Sequence, residues 1–272
     1  MDHGAARTLD VNGTRIYLVD RGSGPATLFL HGNPDSADLW SGVIAQLSDR
    51  FRCLAPDLPG FGRSSAPAGF DCSLEAMARF IDDLIRTIGI DEPLNLVAHD
   101  FGGIFGLAWA TTFPEKVRRI AVGGCPFFAD YRWHFWAKIW RTRWLGELSM
   151  LTMNYWMFRF ELKRGSRKLT SKQIAQTYSL VTPDMKRMVL RLYRATDPAN
   201  FKAWEARLMS LTRRVPTLVL WGRHDPYVPA RFAERFGARA IHCFPDCGHW
   251  YPAEEAGAVS ALVAKFFAAD GY

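Results

Sequence analysis

Several features that would assign a chain to a specialised class are missing from these 272 residues. No run is long and apolar enough to span a bilayer, which takes about 20 consecutive apolar residues. The opening segment, MDHGAARTLDVNGTRI, holds no apolar core of the kind a secretory signal carries, so a cytoplasmic protein without a membrane partner is expected. Cysteine is scarce: there are five, an odd number without paired spacing. Cys243 and Cys247 flank Phe244-Pro245-Asp246, but no second Cys/His pair completes a zinc site, and reduced thiols are the plain reading. Asp35 and Asp57 lack companion carboxylates at ligand spacing. Neither a metal nor an organic cofactor is expected. Internal repeats and low-complexity tracts are absent as well.

What is present is apolar and aromatic. Hydrophobic residues make up 49 % of the chain and aromatics 14 %. That supports a large core, in one α/β domain with an insertion or in two small domains. The net charge of +7 comes largely from arginines between Arg132 and Arg214. A basic stretch can bind nucleic acid. Here, however, the basic residues alternate with Trp133, Trp136, Trp140 and Trp144 at helical spacing. The expectation is a packed helix face edged by solvated arginines, with no nucleic-acid partner. Oligomeric state cannot be read from the sequence.

Short apolar segments bounded by glycine and proline read as strands: 14-TRIYLVD-20, 26-ATLFLHG-32, 51-FRCLAPD-57, 94-LNLVA-98, 118-RRIAVGG-124, 215-VPTLVLWG-222 and 238-ARAIHCF-244. Between them, Leu74 to Ile88 keeps one helical face apolar, an apolar helix follows Gly103, and Ala256 to Phe267 closes the chain. Strands alternating with helices imply a mostly parallel sheet covered on both faces. From about 126 to 212 the character changes to helical, aromatic and basic. This block reads as a helical lid over the carboxyl edge of the sheet, with residues 1–125 and 213–272 as the core domain.

The turn 98-AHDFGG-103 joins a strand to a helix and puts Asp100 at its tip. Residues two before and two after the tip must be small in so tight a turn, and Ala98 and Gly102 are. Asp100 has an ordinary reading as a helix N-cap. It also has a chemical one, as a nucleophile above helix amides that favour negative charge. Asp225 follows the strand ending at Trp221-Gly222, and His249 follows the next strand. Taken singly, each could be a turn or loop residue. Together they give the order nucleophile, acid, histidine, each after a strand end.

On these residues the chain resembles the α/β-hydrolase superfamily over nearly its whole length. The segments 31-HGNP-34 and 56-PDLPGFGRS-64, each after a strand, add to the resemblance. It implies an α/β-hydrolase fold with a helical cap. It also implies Asp100 as nucleophile, His249 as base, Asp225 as the acid that orients the base, and the backbone amides of Asn33 and Phe101 as an oxyanion hole. Asp57 reads as a turn residue of its loop.

An aspartate at the tip narrows the chemistry. A carboxylate is a poor attacker of ordinary esters, because the anhydride formed is less stable than the substrate. It can displace a leaving group at saturated carbon, giving an alkyl-enzyme ester that a histidine-activated water then hydrolyses. This points to the epoxide hydrolase and haloalkane dehalogenase group. Asn33 resembles the halide-binding asparagine of dehalogenases, yet Phe101 lacks the NH donor those enzymes usually have there. Stretches 127-FFADYRWHFW-136 and 190-LRLYRATDPANFKAW-204 resemble the epoxide hydrolase segments that carry the two lid tyrosines. That places them at Tyr131 and Tyr193, with Tyr155 and Tyr178 as spares. The resulting expectation is an epoxide hydrolase acting with water on a small hydrophobic substrate. The alternatives are a haloalkane dehalogenase, a lactone-type hydrolase and a non-catalytic binding protein of the same fold. Phe101 and Ile104 stand where fluoroacetate dehalogenases carry arginines, so a small carboxylate substrate is not expected.

Overall fold

The computed structural model describes residues 6–269. Among them eight strands form one sheet: β1 (Ala6–Val11), β2 (Thr14–Arg21), β3 (Ala26–Leu30), β4 (Arg52–Pro56), β5 (Leu94–His99), β6 (Val117–Gly123), β7 (Thr217–Gly222) and β8 (Ala240–Phe244). Their spatial order is β1-β2-β4-β3-β5-β6-β7-β8. The six strands from β4 to β8 are parallel, whereas β2 runs antiparallel to both its neighbours. The mostly parallel α/β sheet expected from the alternating pattern is therefore present, with an antiparallel edge.

β1 lies outside the strands read from the sequence. Its residues are mostly exposed, so no apolar alternation marks it. The available signal was the turn: Asn12 and Gly13 both have positive φ, 52° and 76°, as a two-residue hairpin turn requires.

The period of two sorts the central strands onto two helical layers. Leu28, Leu30, Leu96, Ala98, Ile120, Val122, Val219 and Trp221 join one core cluster, with α2 (Leu74–Ile88), α3 (Phe101–Thr112) and α9 (Lys202–Thr212). Phe29, Val97, Ala121, Leu218 and Leu220 join the other, with α1 (Ser41–Leu47) and α10 (Ala256–Ala268). Both faces of these strands are dry, which explains their continuous apolar runs. In α2 the Ser73 side chain caps the first turn and Gly89 ends the helix at φ 81°.

Between β6 and β7 the chain forms α4 (Phe135–Arg141), α5 (Leu145–Thr152), α6 (Tyr155–Gly165), α7 (Ser171–Ser179), α8 (Pro183–Ala195) and α9. Polar caps divide this stretch. Asn154 accepts from the Trp156 and Met157 amides, Thr170 and Gln173 form a capping box, and Thr182 caps α8 ahead of Pro183. α9, inside the stretch expected to be lid, packs against α3. The single tryptophan-bearing face expected from 133 to 144 is not continuous. α4 stops at Arg141, and Trp144 stands outside it with φ 68° and its ring exposed.

Candidate active site

Asp100 occupies the sharp bend between β5 and α3 at φ 50° and ψ −124°. A non-glycine residue there carries strain, which the surrounding packing must hold. The holding contacts are close. A Cβ on Gly102 would lie 2.3 Å from the Leu30 carbonyl oxygen, and one on Gly32 would lie 2.3 Å from Asp100 Oδ2. The Asp100 side chain makes no capping bond to its own helix. Oδ2 instead accepts a hydrogen bond from the Asn33 amide at 2.8 Å. The helix-cap reading finds no capping bond: the carboxylate faces the Asn33 loop and the Phe101 amide at the bend.

The loop bearing Asn33 is fixed from behind by His31. The His31 Nε2 accepts the Leu58 N–H at 2.8 Å, so the ring proton sits on Nδ1 and is donated to the Gly32 carbonyl, also at 2.8 Å. Burial lowers the His31 pKa, in keeping with a neutral ring. Asp57, beyond the adjacent strand, is fully buried and does more than end its strand. Its oxygens accept from the Ala37 amide at 2.7 Å and from Arg63 Nε at 2.8 Å, which braces the segment after Asn33–Pro34.

His249 is buried, with Nδ1 2.7 Å from Asp225 Oδ2 and Nε2 4.0 Å from Asp100 Oδ1. Asp225 Oδ1 accepts the Tyr227 and Val228 amides at 2.8 and 2.9 Å, which fixes the carboxylate that orients the ring. Burial opposes a charge on His249, but Asp225, Asp100 and Asp35 outweigh it and lift its pKa to about 9. Burial pushes the Asp100 carboxyl up, countered by His249 and the amides of Asn33 and Phe101. All five residues named for the triad and oxyanion hole thus meet at one point on the sheet edge. The end of α6 reaches the same point: the His249 amide donates to the Gly165 carbonyl at 2.8 Å.

A cavity of about 100 Å³ opens above Asp100 and His249, lined mainly by apolar side chains of α4, α5, α6 and α8. Tyr131 and Tyr193 both line it. The Tyr131 hydroxyl donates to the Tyr227 carbonyl at 3.0 Å, so its proton is committed to the main chain. The Tyr193 hydroxyl lies 3.4 Å from His134 Nε2, and its ring packs edge-on against Phe101 at 4.8 Å. Burial raises the Tyr193 pKa well above its usual value, and burial takes His134 down to about 3. The pair therefore holds a hydroxyl proton beside a neutral imidazole. Tyr155 and Tyr178 contact one another at 5.3 Å and do not line the cavity.

Of the lining residues that the sequence reading left without a role, two bear polar atoms beside Phe101 and Tyr193. One is His134. The other is Trp133, stacked on Phe101 with ring centres 5.9 Å apart and its Nε1 buried without a partner among the described residues. Both sit in the quoted stretch beside Tyr131, but a buried indole and imidazole read as lid packing until the fold turns them inward. The described residues hold no cluster of three or more His, Cys, Asp or Glu fit for a metal ion.

An eight-stranded, mostly parallel sheet with an acid, a histidine and an elbow residue at its carboxyl edge defines a hydrolase architecture. The α/β-hydrolase-fold family model matches residues 25–256, and the chain belongs to that family. Haloalkane dehalogenase 2 of Mycobacterium tuberculosis is 28 % identical over 96 % of this chain and 94 % of that one. The cis-3-alkyl-4-alkyloxetan-2-one decarboxylase of Shewanella oneidensis is 25 % identical over 89 % and 81 %. Among solved structures, a DBJA mutant superposes with a TM-score of 0.84, 27 % identity and coverage of 97 % and 98 %.

Proposed function

We propose that this hydrolase forms an alkyl-enzyme ester on Asp100 and opens hydrophobic epoxides to vicinal diols. The observation that carries the reading is the Tyr193 hydroxyl, in the same apolar cavity as Asp100, beside the neutral imidazole of His134. An Asp100 oxygen attacks a ring carbon and the carbon–oxygen bond breaks. The electron pair goes to the ring oxygen, which takes the Tyr193 proton. Tyr131, whose proton already serves the Tyr227 carbonyl, lines the pocket, and His134, with Nδ1 accepting from the Ala137 amide, turns its Nε2–H to the Tyr193 oxygen.

The ester then switches the base on. Asp100 in its ionised form is one of the charges that raise the His249 pKa. Alkylation removes that charge and lowers the His249 pKa, so the ring is no longer held protonated and can take a proton from water. The hydroxide adds to the ester carbonyl, and the Asn33 and Phe101 amides receive the oxyanion. Loss of one such donor typically costs about 10²–10³ in rate. Collapse releases the diol and restores Asp100, and the water proton returns through His249 to Tyr193.

A second reading rests on a different observation. Trp133 Nε1 and Asn33 Oδ1 are buried without partners in the same cavity, and the indole NH is a donor suited to halide. The dehalogenase relatives favour it. The test is intact-mass spectrometry of the His249→Ala protein, which should trap the ester, after exposure to epoxides, bromoalkanes and β-lactones. A gain of one whole epoxide is expected. A gain equal to a bromoalkane less HBr would replace the reading with dehalogenation. Adducts from lactones alone, or none in folded protein, would overturn it.

A further inference from the structure

Eight large apolar side chains of α4, α5, α6 and their joins stand in solvent: Phe135, Trp144, Leu145, Leu148, Leu151, Trp156, Met157 and Phe160. Ile241 is the one other large exposed hydrophobic residue among those described. In α5 the exposed leucines recur every three residues, and in α6 Trp156 and Phe160 are four apart, so each helix presents a stripe. Leu151 is 81 % exposed, Trp156 72 % and Phe160 70 %. Apolar surface on this scale marks an interaction site.

Charge selects the partner. From Arg132 to Arg164 there are seven arginines and lysines against two glutamates. Arg141 and Arg164 pair with Asp197 and Glu161, whereas Arg132, Lys138, Arg143 and Arg159 form no ion pair with any described residue. A two-fold contact between copies of this chain would bring the same unpaired cations against one another. The partner must be apolar and anionic at once. We propose that this face rests on an anionic lipid bilayer, with Trp156, Phe160 and the α5 leucines in the headgroup boundary and the arginines on the phosphates.

No described helix is long and apolar enough to cross a membrane, and the proposed contact is one in the interface plane. The expectation of no membrane partner rested on the absence of a span, which a surface contact does not need. Met157 ties the surface to the pocket: it is 42 % exposed and lines the cavity with Met150 and Met153 behind it. Met157 thus joins the stripe to the cavity wall, where a lipid-dissolved apolar substrate would enter. The proposal stands whichever leaving group the site takes.

The test is co-sedimentation of the full chain with phosphatidylcholine vesicles, with and without phosphatidylglycerol. Binding to the anionic vesicles and at least about tenfold weaker binding to neutral ones is expected. The double variant Leu151→Asp, Trp156→Asp should lose binding by at least about tenfold. Arg143→Glu with Arg159→Glu should lose about fivefold or more per charge. None of these four residues lines the cavity, and circular dichroism and melting check that each variant folds. No binding to anionic vesicles, or wild-type binding by the apolar variant, would overturn the proposal. So would a dimer in sedimentation velocity that the apolar variant abolishes, which would give the face to a second copy.

Discussion

Asp100, His249, Asp225 and Asp35 share one buried volume, and their charges are not independent. The pKa of His249 is raised to about 9, so the folded protein holds a proton there that the unfolded chain releases near 6.5. That contribution to stability is complete below 6.5 and is lost as pH rises through about 9. Asp35, whose carboxylate accepts from Trp250 Nε1 at 3.0 Å, is raised by burial to about 7. It adds a loss of the same sign between about 4 and 7. The melting temperature should therefore fall from pH 7 to 9, and His249→Gln should flatten that slope. A slope unchanged in the variant would show that other groups set it. At the leaving group, Tyr193→Phe should slow ester formation from epoxides by about 10²–10⁴. Tyr131→Phe should cost far less, because its hydroxyl serves the Tyr227 carbonyl; single-turnover mass spectrometry reads both.

The elements show which local signals carried information. α2 begins and ends where its apolar face, Ser73 and Gly89 place it. The elbow was legible because a strand, small flanking residues and a polar tip coincide within six positions. Asp225 and His249 were legible through their order after strand ends. β1 was hidden by its exposed side chains, and Trp133 and His134 by their likeness to packing residues; their placement depends on how the segment after β6 folds back onto Phe101 and Tyr193. Packing at the elbow gives a sharp expectation. Gly102→Ala puts a methyl 2.3 Å from the Leu30 carbonyl oxygen and should destabilise the protein by about 3 kcal/mol in urea unfolding. Gly165→Ala puts one 2.4 Å from the Trp250 ring. It should lower turnover more than stability, because the displaced ring adjoins His249; a normal kcat in a folded variant would contradict this.

Across the whole molecule, the core strands carry two dry faces, while α4, α5 and α6 turn apolar side chains both to the cavity and to solvent. Amide exchange should accordingly be slowest in β3, β5, β6 and β7 and faster in α5, whose exposed leucines contribute no burial. Protection in α5 equal to that of β5 in dilute solution would mean that the stripe is covered there too.

The bond from the Gly165 carbonyl to the His249 amide ties two stretches 84 residues apart in the chain into one structural unit. A Cβ on Gly248 would lie 2.1 Å from that same carbonyl, so the two backbones touch with no side chain between them. The end of α6 is thus as much a wall of the histidine loop as a part of the cap. A chimera that imports a foreign lid will keep its base in register only if residues 161–166 and 247–250 are transplanted together. Inheritance of new specificities by exchange of this helical segment is constrained at this seam.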